Sequence, residues 1–236
     1  MNFREVQVEI LGSFAINFLT SWARISADLK GSVDNSVIAF VHAFSTMAFI
    51  ALFYPTARCH FTPLLSLTDM IFKNFEIKNC ALLILSQFVG ALASTALLSL
   101  TLSSAQITEL AEKSTLGFAH INPVYFNSIN GFWAELLLAS LLAFIQLRYS
   151  GKPRGSRNWV EFYAVIRASV LLFAGLACEG MSGLALNPFP VMTGALLSTD
   201  VLQNQWVYVL APVIGISIGG MLVHRKAVSD FLKVVT

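Results

Sequence analysis

Two stretches set a polar cap and a proline inside otherwise apolar sequence, and their chemistry is that of helix ends. Asn187-Pro188-Phe189-Pro190 places a preferred N-cap before a preferred first helical residue, and Thr62-Pro63-Leu64 repeats the pattern. The apolar sequence after each lasts only about ten residues, or ~15 Å of helix, against a bilayer core of ~30 Å. Each therefore reads as a half-helix beginning inside a membrane. Such a start leaves backbone N–H groups without intrahelical partners and carries roughly half a positive charge. Two starts meeting near the midplane would form an electropositive centre that repels cations and protons. Asn187 can cap with its oxygen while its amide still donates to a passing molecule; Thr62 can cap and then offers one hydroxyl proton.

Glu9, His42, Glu135 and Arg167 are ionisable residues within the apolar runs. Carboxylates at membrane depth are costly and point to a structural or functional task, although either Glu could instead begin its helix at the headgroups. His42 and Arg167 lie 20 residues before Thr62 and Asn187 respectively. Inverted symmetry would put Arg167 at the cytoplasmic mouth of any path, while its proximity to Trp159 would also let it snorkel to headgroups. No His, Cys or carboxylate set has ligand spacing, and no nucleophile–base pair or phosphate loop is present, so catalysis and a metal or other cofactor are not expected. Cys59, Cys80 and Cys178 lie in or beside apolar runs and suggest no disulfide framework.

The elements that must position these residues are membrane spans. The chain has 236 residues, 56% hydrophobic and 12% charged, with mean hydropathy +0.70. Soluble domains carry about 25% charged residues, so the sequence describes a polytopic all-α membrane protein. Six runs are long enough to span: 8–25, 37–54, 80–102, 132–147, 159–178 and 206–224. Lys73, Lys78, Arg148, Lys152, Arg154, Arg157, Arg225, Lys226 and Lys233 fall on one side of them. Asp28, Asp34, Glu109, Glu112 and Asp200 fall on the other, with only Arg24, Lys30 and Lys113 among the basic residues. The basic side is expected to be cytoplasmic and to hold both termini. Gly215 and Gly219 form a small-x-x-x-small pair for helix packing, within or between protomers.

The chain also repeats. Glu9 precedes Thr62 by 53 residues and Glu135 precedes Asn187 by 52. Each half, about 1–115 and 125–236, reads as span, span, half-helix, span, and three full spans per half force opposite orientations. Helix interruptions at this depth survive only if buried in protein or lining a water-filled path. The expected architecture is a single domain over 1–236 with six transmembrane helices and two re-entrant half-helices in an inverted repeat.

These features together resemble the aquaporin (major intrinsic protein) superfamily. Ser86-Gln87-Phe88-Val89-Gly90-Ala91 is similar to the family's third-span motif, and Trp206 to Gly215 to its sixth-span signature. His60 is similar to the His that precedes the family's first box. The resemblance implies a passive channel for water or small neutral solutes in a lipid bilayer, assembled as a homotetramer, with no cofactor and no nucleic-acid partner. It assigns the pore boxes to Thr62, Pro63 and Leu64 and to Asn187, Pro188 and Phe189, and loop bracing to Glu9 and Glu135. It assigns the external filter to His42, Gly175, Leu184 and Pro190.

Both boxes depart from the family's Asn-Pro-Ala, and Pro190 stands where its filter Arg would be, as in the unorthodox, superaquaporin-like branch, many of whose members reside in intracellular membranes. The endoplasmic reticulum and the plasma membrane are the two locations this implies. With Pro190, Gly175 and Leu184 lacking polar side chains, a wider, more apolar filter is expected, with His42 its polar contact. Leu64 and Phe189 could instead plug the centre, giving a non-conducting structural or adhesion protein. His120-Ile121-Asn122-Pro123 looks like a further box, but only 13 residues separate Asn122 from Glu135, so an external turn is expected there.

Overall fold

A computed structural model describes residues 2–30, 34–73, 75–112, 126–149, 157–183, 185–197 and 204–224, and all regular structure among them is helical. In chain order the helices are α1 (Phe3–Lys30), α2 (Asn35–Phe53), α3 (Pro63–Phe72), α4 (Ile77–Thr101), α5 (Ser104–Glu112), α6 (Ser128–Tyr149), α7 (Arg157–Ser182), α8 (Pro188–Gly194) and α9 (Gln205–His224). The box-like segment at 120–124, the basic residues Lys152, Arg154, Arg225, Lys226 and Lys233, and Lys113, Asp200 and Leu184 lie outside the described residues.

Five helices, α2, α4, α6, α7 and α9, are long and apolar enough to cross a membrane. The remaining long helix, α1, has 28 residues, or about 42 Å of rise. Its hydropathy is diluted by Glu5, Glu9, Ser13, Asn17 and Ser21, spaced four apart, followed by Arg24. Four-residue spacing puts these side chains on one helix face, and all but Asn17 are buried below a tenth exposure. The stripe faces protein, so α1 turns its polar side inward.

α3 and α8 are the half-helices. α3 has 10 residues from Pro63, with Thr62 at its N-cap and Lys73 at its C-cap. α8 has 7 residues from Pro188, capped by Asn187, whose side chain accepts from the Phe189 N–H at 3.1 Å. Contacts follow the inverted repeat: α1 packs on α4 as α6 packs on α9, and α2 meets α7 across the two halves. Glycines set both within-half crossings. A Cβ at Gly90 would come 2.5 Å from the Ile10 carbonyl oxygen on α1, and one at Gly215 2.6 Å from that of Leu136 on α6. Gly219 closes against Ser140 and Ala143 of α6 in the same way. The small-residue pair thus packs within the protomer.

One element has no counterpart in the sequence reading. α5 folds back after α4, and Leu110 is wholly buried in an apolar cluster with Ile25, Leu98, Val191 and Val207. It seals the end of the bundle where α1 and α4 finish.

Candidate permeation pathway

The two loops that lead into the half-helices are held by the two carboxylates. Glu9, wholly buried, accepts from the backbone N–H of His60 at 2.6 Å and of Phe61 at 2.7 Å, and from Gln87 Nε2 at 2.8 Å. Glu135, also wholly buried, accepts from Ser182 Oγ at 2.8 Å and from the N–H groups of Ala185 at 3.0 Å and Leu186 at 2.9 Å. Phe61 (φ 58°) and Leu186 (φ 43°) both adopt left-handed backbone, which costs a bulky residue ~1–3 kcal/mol. Hydrogen bonds to charged acceptors contribute about 1.5–3 kcal/mol each and offset that cost.

The same turns aim each carbonyl at the opposite box. Thr62 Oγ1 donates to the Leu186 carbonyl at 2.8 Å, and Asn187 Nδ2 donates to the Phe61 carbonyl at 3.4 Å. Each cap residue is therefore bonded to the residue preceding the other cap. Thr62 makes no side-chain cap bond to its own helix, contrary to the sequence expectation, because its hydroxyl hydrogen is directed across to Leu186.

Below α3, His60 is clamped rather than exposed. Its Nδ1 lies 3.0 Å from Ser66 Oγ and its Nε2 3.2 Å from Asp69 Oδ2, and Ser66 is wholly buried. Gln146 Nε2 donates to Asp69 Oδ1 at 3.1 Å, tying α6 to α3. Among the described residues no three His, Cys, Asp or Glu side chains form a set that could hold a metal ion.

A small cavity of about 50 Å³, lined by polar and apolar side chains, reaches both boxes. It is lined by Ile16, Asn17, Thr20, Ser21 and Arg24 of α1, His42 and Thr46 of α2, and Leu142, Arg167 and Leu171 of α6 and α7. Phe61, Thr62, Ala185, Leu186, Asn187 and Pro190 complete it. From Ile16 to Arg24 the α1 wall rises about 12 Å. One water needs roughly 10–15 Å³ of such space, so the volume suits a short file of waters. Three lining atoms have no protein partner: Asn17 Nδ2, His42 Nδ1 and Arg167 Nε. A buried polar atom left unpaired costs about 1–3 kcal/mol, which a water in the cavity removes.

Two buried arginines, Arg167 and Arg24, secure the loops from either side of the cavity. Arg167 Nη1 donates to the Cys59 carbonyl at 2.6 Å and Nη2 to the His60 carbonyl. It is 4% exposed, so it braces the first loop from inside the protein instead of snorkelling. Arg24 Nε donates to Glu179 Oε1 at 2.8 Å, and Nη2 to the Gly183 carbonyl ahead of the second box. The sequence reading placed Arg24 in an external loop; it is 7% exposed.

The residues singled out from the sequence divide as follows. Thr62, Asn187, His42, Pro190 and Arg167 share the polar cavity. Gly175 is buried within α7 and is not among the lining residues, and Leu184 lies outside the described residues. Pro63, Leu64, Pro188 and Phe189 line a separate apolar cavity of about 200 Å³ between α4 and α9. Leu64 and Phe189, which could have plugged the centre, thus line the apolar cavity instead. Successive helical residues are rotated by about 100°, so Pro190 facing the cavity turns Phe189 towards α4, where its ring meets Phe88 edge-on at 5.4 Å. Asn17 and Arg24 escaped the sequence reading; the four-residue polar stripe of α1 was the signal that could have found them.

Comparison with known proteins places the chain in one family. The family model for major intrinsic protein matches residues 1–223. Probable aquaporin NIP7-1 of Arabidopsis thaliana is 24% identical, covering 94% of this chain and 76% of its own. Aquaporin Z of Rhodopseudomonas palustris is 23% identical over 94% of this chain and 92% of its own. Glycerol uptake facilitator protein-like 6 of Lactiplantibacillus plantarum is 24% identical over 90% and 93% respectively. The X-ray structure of the aquaglyceroporin from Plasmodium falciparum superposes with a TM-score of 0.78 at 19% identity, covering 98% of each chain.

Proposed function

The chain belongs to the major intrinsic protein family and is a passive membrane channel for water or small neutral solutes, and we propose that its solute path is the polar cavity that passes both boxes. The observation that carries this reading is the set of unpartnered atoms, Asn17 Nδ2, His42 Nδ1 and Arg167 Nε, along one narrow cavity. Each offers a passing molecule a hydrogen bond that no protein group competes for, and the apolar residues between them bind nothing. A file of waters or another small hydroxylic solute would move from one to the next by exchanging partners.

Within this reading Glu9 and Glu135 serve as loop braces, and Thr62 and Asn187 hold the centre. Asn187 presents an amide already shared with Phe61 at a long 3.4 Å, a weak bond that a solute oxygen could replace. Thr62 is more firmly engaged and shapes the path more than it donates to it. His42 and Pro190 form the filter side of the same cavity. The basic residues Lys73 and Arg148 support a cytoplasmic placement of the ends of α3 and α6. The family resemblance supports a homotetramer and a place in the endoplasmic reticulum or plasma membrane.

The test is osmotic shrinkage of liposomes carrying the purified protein, followed by light scattering. Water flux above the lipid background, reduced about tenfold by Asn17→Leu, is expected from a path whose fixed donors matter. Absence of flux for water, urea and glycerol alike would overturn the reading and leave a non-conducting structural protein.

A further inference from the structure

We infer that the cavity that reaches both boxes is a binding site for a small monovalent anion, of the size of chloride or nitrate, held against Arg167. Its lining brings together two guanidiniums, Arg24 and Arg167, and no carboxylate among the described residues. Arg24 is compensated, because Glu179 pairs with it at 2.8 Å. Arg167 is not. It is 4% exposed and forms no ion pair among the described residues.

The partners of Arg167 are neutral. Nη1 donates to the Cys59 carbonyl at 2.6 Å and Nη2 to the His60 carbonyl, and the Tyr163 hydroxyl is a further hydrogen-bond partner. The two acids that bear on this loop are engaged elsewhere. Glu9 takes the N–H groups of His60 and Phe61, on the other edge of the loop whose carbonyls Arg167 holds. Asp69 is shared by His60 and Lys73. Carbonyl dipoles orient a guanidinium without cancelling its charge, and a buried charge is ordinarily paired. Arg167 also leaves Nε without a protein partner in the cavity wall.

The rest of the wall is rich in donors as well. Asn17 Nδ2 and His42 Nδ1 have no protein partner; the amide donates, and the imidazole donates in the tautomer that carries its proton on Nδ1. The Ser21 and Thr46 hydroxyls can turn to donate. The acceptors at the boxes are already taken: the Phe61 carbonyl receives Asn187 Nδ2, and the Leu186 carbonyl receives Thr62 Oγ1. Surplus donors around an uncompensated guanidinium suit a ligand that only accepts and carries one negative charge. Water would fill the same space and leave the charge unmet. A volume of about 50 Å³ admits a halide or nitrate and excludes a sugar acid such as gluconate.

The experiment titrates the purified full chain in detergent micelles with chloride at constant ionic strength and reads broadening of the chloride NMR line. Broadening above that of protein-free micelles is expected, reversed by nitrate and not by gluconate. Arg167→Met removes the charge and abolishes the nitrate-sensitive broadening. Arg167→Lys keeps the charge without the planar fork and binds within about threefold of the parent. His42→Leu, which removes a donor that holds neither loop, weakens binding about tenfold. Nitrate and gluconate acting alike overturns the inference, as does unchanged broadening in a folded Arg167→Met. Loss in Arg167→Lys as complete as in Arg167→Met also overturns it, because the grip on the loop, not the charge, would then make the site. Should Arg167→Met fail to fold, unchanged binding in His42→Leu overturns it instead. The site does not depend on the cavity being the solute path, but on that reading the ion stands in the path. Water flux in liposomes then falls severalfold when chloride replaces gluconate at matched osmolarity. Chloride binding with water flux absent, or unaltered by the exchange, overturns the pathway reading and leaves the anion site; flux without binding overturns the anion site alone.

Discussion

A carboxylate with three donors converging on it is the residue-scale feature on which the second loop depends. Replacing Glu135 by Leu strands the backbone N–H groups of Ala185 and Leu186, at about 1–3 kcal/mol each, and removes the acceptor of the Ser182 hydroxyl. Glu135→Leu is therefore expected to lower the melting temperature in detergent sharply and to abolish flux; an unchanged melting temperature would show that the carboxylate braces nothing. Leu64 and Phe189 make the opposite case. They line the apolar cavity, away from the polar one, so truncating both to Ala should not raise water flux. The buried Leu64 alone should lose ~2–5 kcal/mol of stability on such truncation. A rise in flux would restore them as the plug.

Elements fix where those residues point, and this is where sequence reasoning reaches its limit. The half-helices were legible because a cap, a proline and a short apolar run are local signals. The carboxylates were legible because an acid inside an apolar run stands out. Arg24 was not: near the end of a span its type suits a loop, and only its bonds to Glu179 of α7 and to the Gly183 carbonyl show that it is held inside. Which wall Phe189 faces could not be read from its type, because its place in the turn of α8 decides it. The pairing of Gly215 with α6 could not be chosen from sequence, since a small-residue pair fits any close helix neighbour. With the structure it yields a prediction. In Gly215→Ala the new Cβ would sit 2.6 Å from the Leu136 oxygen and 2.7 Å from the Ala139 Cβ, forcing α6 and α9 apart. Overpacking of this kind costs about 1–3 kcal/mol, and thermal unfolding of the purified variant would show it; a melting temperature equal to the parent's would mean that the crossing adjusts without cost.

On the scale of the whole molecule, the inverted repeat makes a prediction about sides. Lys73 and Lys78 flank the end of α3, whereas Ser104 begins α5 at the opposite end of α4. Single cysteines introduced at Lys78 and at Ser104, in a background lacking Cys59, Cys80 and Cys178, should label from opposite faces of a sealed vesicle with a membrane-impermeant maleimide. Labelling of both from one face would show that α4 does not cross the bilayer. The same repeat explains why the fold could be read from a single chain. The corresponding helices of the two halves, α4 and α9, solve one packing problem with a glycine each, Gly90 and Gly215.

The ties across the centre also impose an order in time. The first box loop is complete only when Arg167 holds Cys59 and His60 and when the Leu186 carbonyl receives Thr62, partners 107 to 124 residues further along the chain. At a synthesis rate of roughly 5–20 residues per second, α3 waits ~5–25 s after it leaves the ribosome before its latch arrives. During that interval a half-helix too short to span the bilayer has Glu9 to hold its loop but nothing to close it. The nascent first half must therefore be sheltered, by the insertion machinery or by its own α1 and α4, until the second half is made.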